Sequence, residues 1–173
     1  MSLSMYQASV PVFVQILTAL STVLDKAQAH AAARKIDPGV LLAARLAPDM
    51  FPLTSQVQIA CDFAKGAATR LAGAKVPSWP DNEKSFADLG ERISKTIDFV
   101  QAFKPAQIDG SEARDVTISV AGQAVTFKGR PYLIHYVMPN FYFHATVAYA
   151  ILRHNGVELG KRNFVGKVPG MSS

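Results

Sequence analysis

Four stretches of this chain repeat their apolar residues every three or four positions, and proline or glycine marks most of the breaks between them. That spacing matches the turn of an α-helix, so each stretch carries an apolar stripe that another element must cover. The first stripe is Val10, Phe13, Val14, Leu17, Leu20, Leu24, Ala27 and Ala31. Pro11 has no N–H and fits only a first turn, so this helix is expected to start near Ser9, a good capping residue. In the second stretch, Pro52 to about Ala72, Val57, Ala60, Cys61, Ala64, Ala67, Ala68 and Leu71 share one arc. Gln58, Asp62, Lys65 and Thr69 fall on the opposite, polar arc, and Gly73 is the expected C-cap. The third runs from about Glu83 to Phe103 on Phe86, Leu89, Ile93, Ile97 and Val100, and Pro105 closes it. The fourth reaches from near Pro131 to Asn155-Gly156. Pro139 lies inside it, where the ring removes a backbone bond and meets the carbonyl of His135, so a kink or restart is expected.

The connections complete the architecture. Asp37 and Pro38 start a short helix that Pro48 ends, giving a long link in which the chain crosses over before the second long helix. In RDVTISVAGQAVTFKG the period changes to alternation. A two-residue turn at Ala121-Gly122 then puts Val116, Ile118 and Val120 on one face with Gln123, Val125 and Phe127. A lone hairpin is marginal in water, so that face must lie on the helices. The expected fold class is all-α: a four-helix bundle with a long crossover after helix one and a small β-hairpin before helix four. One domain spans 5–165, and 166–173 form a flexible tail, with the chain after Gly156 expected to be extended.

At 173 residues the chain suits one core, able to bury about 70% of its unfolded surface. Hydrophobic residues at 49% against 18% charged exclude disorder, and no stretch reads as a membrane span. The single cysteine, Cys61, has no intramolecular partner, and no signal-peptide pattern is evident, so a cytoplasmic location is expected, with Met5 a natural start. The net charge of +5 raises nucleic acid as a partner. Its cations are scattered singly among acids except in GKRNFVGK, and no nucleic-acid signature accompanies them, so no nucleic-acid role is expected.

The chemistry concentrates around His144. After the kink, Asn140, His144, Val147, Ala148 and Ile151 fall on the inner side of helix four, while Tyr142, Thr146, Tyr149 and Arg153 fall outside. His144 is therefore either a metal ligand or proton-transfer group in the bundle interior, or a neutral core histidine paired with Asn140 and with helix two. The second reading is preferred, because a metal site needs three or four ligands and one good ligand is visible. His135 stands nine residues away, about 13 Å along a helix, and His30 and His154 belong to helix ends. Cys61 reads as an inert core thiol. Trp79, in the loop VPSWPDN, either seals the core edge or meets a ligand.

The motifs MYQASVPVF, RLAPDMFPLTSQVQIACDFAKGAA, PNFYFHATVAYAILRHNGV and LGKRNF resemble an uncharacterised bacterial branch of the DinB/YfiT-like helical bundles, from Met5 to Phe164. The wider family implies a divalent metal on three histidines, one from helix two and an H-x-x-x-H pair on helix four. It also implies homodimers and, in some relatives, thiol transfer. Residue by residue, the second histidine of the pair falls on His144 and the first on Asn140. Helix two offers only Gln56, Gln58 and Asp62. A divalent metal is thus not favoured, since borderline metals select nitrogen and sulfur donors. The expected role is a small-molecule-binding or regulatory protein with a degenerate metal site and a pocket at His144, Asn140 and Asp62. The alternatives are a metal-dependent thiol transferase or hydrolase using His144, and a structural protein whose aromatic helix-four face is a dimer seam.

Overall fold

The apolar stripes fold as a largely helical molecule with one hairpin. The computed structural model describes residues 3–171; residues 1–2 and 172–173 lie outside it. The elements are α1 (Val10–Arg34), α2 (Pro38–Leu42), α3 (Leu53–Leu71), α4 (Phe86–Gln101) and α5 (Pro105–Ile108). After them come β1 (Asp115–Val120), β2 (Gln123–Lys128), α6 (Gly129–Pro131), a π-helical segment (Tyr132–Val137), α7 (Met138–His154) and α8 (Lys161–Val165). α4 packs against both α1 and α3, α3 against α7, and α7 back on α1. Phe13, Leu17, Leu24, Val57, Leu89, Ile93, Phe141 and Ile151 fill the space between them. Among the described residues α1 alone is long and apolar enough to cross a membrane, and half of that stretch is buried inside the fold.

The helix ends follow from local chemistry. Asp37 caps α2 through Gly39 N–H at 2.8 Å. α3 stops in a Schellman motif in which Ala74 N–H reaches Thr69 C=O and Gly73 N–H reaches Arg70 C=O, with Gly73 at φ 71°. Ser9 occupies the N-cap position of α1, but its hydroxyl donates back to Met5 C=O at 2.6 Å instead of capping forward. α4 begins three residues later than expected. There Ser85 and Asp88 form a reciprocal capping box, and Glu83 is left free to pair elsewhere.

The hairpin has the expected register, with Val116 opposite Phe127 and Ile118 opposite Val125. Ala121 (φ 49°) and Gly122 (φ 80°) make its two-residue turn. Pro139 produces the expected interruption as a widened turn. The π-helical segment ends just before it, and Pro139 then sits in the first turn of α7, where its missing N–H costs nothing.

Two expectations are corrected. Gln58, Lys65 and Thr69 are buried, because α4 and the loop before it cover the polar arc of α3 as well as its apolar one. The chain after Gly156 is not simply extended: Val157 and Leu159 are buried, and α8 packs on α1, with Gln15 Nε2 donating to Val165 C=O at 3.0 Å. Phe164 of α8 meets Tyr149 at 5.9 Å, so Tyr149 is half-buried and not part of an open outer face.

Candidate functional site

α3 and α7 are neighbours, and their meeting point holds the imidazole. His144 Nδ1 lies 2.7 Å from Gln56 Oε1, so that nitrogen carries the proton and the amide oxygen accepts it. Gln56 is itself held by donating Nε2–H to Phe51 C=O at 3.1 Å. The His144 ring stacks on Phe63 at 5.9 Å and 19°, with Phe143 edge-on at 5.3 Å. His144 is half-buried at the rim of the core, and burial holds its pKa below the usual imidazole value.

Among the described residues each of the three expected pocket residues bonds to a different partner, His144 to Gln56, Asn140 to a backbone carbonyl and Asp62 to two cations. Asn140 turns its amide onto its own helix, donating to Tyr136 C=O at 2.7 Å, as a carboxamide one turn on from that carbonyl can. Asp62 faces α4 and pairs with Lys65 Nζ at 2.7 Å and Arg92 Nη2 at 3.0 Å. Arg92 is the hub of that cluster. Its buried guanidinium also meets Asp81 at 2.8 Å and Glu83 at 3.0 Å, and Gln58 donates to the other Glu83 oxygen at 2.7 Å. Burial works to raise the Glu83 pKa, but the bonds from Gln58 and Arg92 outweigh it and hold the carboxyl below its usual range.

The residues present do not fit the metal that the resemblance implies. At the meeting point the donors are one imidazole and two carboxamides, and both amides already hold hydrogen bonds inside the protein. Among the described residues no three histidine, cysteine, aspartate or glutamate side chains form a metal-sized group. Cys61 is fully buried, and burial pushes its thiol up to about 12 against a hydrogen bond with Thr96 and the Arg92 charge, so it stays a thiol. Trp79 seals an edge: it meets Phe99 edge-on at 5.6 Å, with Lys65 and Lys95 ammoniums 4.5 and 4.3 Å from its ring.

An open cleft of about 320 Å³ lies one helix turn further along α3, where β1 and the π-helical segment meet it. Phe63 and Tyr136 wall it, their rings 5.9 Å apart, and Asp62 and Arg70 supply its charged groups. Tyr132 stacks on Tyr136 at 6.1 Å and accepts a hydrogen bond from Arg70 Nη1 at 3.1 Å. An aromatic row thus runs from His144 through Phe63 and Tyr136 to Tyr132 and ends at a guanidinium. Reading the sequence by stripes passes over Arg70, Phe63, Tyr132 and Tyr136. Two signals were available: a glycine, Gly66, one turn before Arg70 inside a helix, and the Tyr132/Tyr136 pair just before a proline kink.

The chain matches a family model described as a domain of unknown function, DUF1993, over residues 5–165. Among solved structures it is similar to the crystal structure of a DinB family member protein from Shewanella denitrificans. The two are 39% identical with a TM-score of 0.86, and the match covers 97% of this chain and 95% of that one. No curated protein sequence matches.

Proposed function

This chain belongs to the DUF1993 family of DinB-like domains of unknown function, and on that premise we propose that it is a four-helix-bundle protein that binds a small molecule without a metal ion. One observation carries the reading. Where the resemblance calls for an imidazole from helix two, Gln56 supplies an amide and closes on His144 at 2.7 Å. The cleft beside Phe63, Tyr136 and Arg70 gives a ligand apolar walls with a few fixed polar groups, the usual make-up of small-molecule sites. The rival metal-dependent thiol transferase or hydrolase would use Nε2 of His144 as a ligand or base, since only Nδ1 is engaged by Gln56, but among the described residues no three histidine, cysteine, aspartate or glutamate side chains gather to hold a metal. We also read the protein as a homodimer, on the strength of the exposed Tyr142 and Phe143 side chains of α7.

Elemental analysis of the purified protein tests the central claim. Zinc, nickel and iron are expected well below one per chain, with the melting temperature unchanged by chelator. One metal per chain that disappears on His144→Ala would overturn the reading in favour of the enzyme.

A further inference from the structure

We propose that the cleft between α3, β1 and the π-helical segment takes a small planar aromatic acid, with Arg70 gripping its carboxylate and Phe63 and Tyr136 holding its ring. This rests on the small-molecule reading and adds the ligand's chemistry to it.

Arg70 is half-buried and has a neutral partner, Tyr132 Oη. Among the described residues no carboxylate lies within 4.0 Å of its guanidinium, whereas the buried Arg92 has three. A guanidinium offers five donors in a planar fork matched to a carboxylate, and most of those on Arg70 are unused inside the protein. The side chain is also seated. Gly66 lies mid-helix, where glycine is disfavoured, and a Cβ there would collide with Arg70 Nη1, so the glycine leaves room for the guanidinium to lie against the helix.

The surrounding charges favour an anion. Asp62 shares the cleft wall, but its carboxylate lies between Lys65 and Arg92 and is locally compensated. Arg70 also borders a second, polar cleft lined by Arg114 and Asp115, and the Asp115 carboxylate is taken by Lys128 at 2.7 Å. On the other side the walls are aromatic faces. Phe127 meets Tyr136 at 5.4 Å behind the cleft, which backs the tyrosine ring for stacking.

The test is an amide-resolved NMR titration with 2-naphthoate and its neutral isostere 2-naphthamide, on the native chain and on Arg70→Gln and Gly66→Ala. The native chain is expected to bind the naphthoate about tenfold or more tightly than the amide, equivalent to about 1.4 kcal/mol, with shifts centred on α3, β1 and the π-helical segment. Arg70→Gln is expected to erase that preference. Gly66→Ala is expected to reduce it with the melting temperature unchanged or raised, because the added methyl displaces a flexible side-chain end while favouring the helix. Equal binding of the two compounds in the cleft would overturn the acid but leave the small-molecule reading standing. A preference that survives Arg70→Gln would also overturn it, as would the absence of cleft shifts with either compound; stoichiometric metal lost with His144 would sink the underlying reading by itself.

Discussion

His144 shows how one neighbour decides what a histidine is for. With Gln56 Oε1 at 2.7 Å the ring is pinned as a neutral donor and links α3 to α7. Burial depresses its pKa below 6.5, because imidazolium loses more hydration than imidazole. Just below pH 6.5 the unfolded chain therefore holds more protons than the folded one, so stability rises with pH across that window and this contribution is complete above it. The expected outcome is a urea midpoint that falls as the pH is taken from about 7 to about 5, with that component absent in His144→Gln. A slope unchanged by the substitution would show that His144 titrates alike in both states. Spacing placed His144 on the inner side of its helix and offered Gln56 among three polar candidates. It did not choose among them, because partner choice depends on how two helices are rotated and offset against each other.

At the scale of elements, α3 departs most from its sequence pattern. It reads as two-faced, yet Gln58, Lys65 and Thr69 are as covered as its alanines. Their cover is the segment before α4, tied down by Arg92 through Pro80 C=O at 3.1 Å and through Asp81 and Glu83. Removing that guanidinium strands Glu83, while Asp62 and Asp81 keep water on one side. Arg92→Ala is therefore expected to cost about 3–4 kcal/mol, the lower part of what a broken buried pair costs. Chemical denaturation measures it, and an Arg92→Ala cost below about 1 kcal/mol would place the cluster with ordinary surface pairs. The hairpin is the opposite case. Its register was legible because a period of two and a two-residue turn leave one alignment that buries Val116 and Ile118. The widened turn before Pro139 was legible only as a break, since a lost N–H and a ring clash require relief without specifying its form.

For the whole molecule, the proposed dimer rests on the outer face of α7. Phe143 is 52% exposed and Tyr142 38%. Tyr149, expected to share that face, is instead covered by Phe164 of α8. The dimer proposed above is expected to shift toward monomer on Phe143→Ser, measured by sedimentation velocity, with Phe164→Ser not mimicking it at equal stability. A native chain that sediments as monomer at every concentration would remove the dimer. Apolar period, proline and glycine placement, and the alternation of residues 115–128 were enough by themselves to determine the long helices and the hairpin, because those features follow from local geometry and from the need to cover a stripe. Tertiary structure alone decided that Gln58, Lys65 and Thr69 on the polar arc of α3 are buried, that α8 returns to α1, and that Arg70, bonded to Tyr132 Oη, faces an aromatic cleft. Each of these depends on which residues distant in the chain come into contact, and side-chain spacing along one helix carries no information about the surface that will be pressed against it.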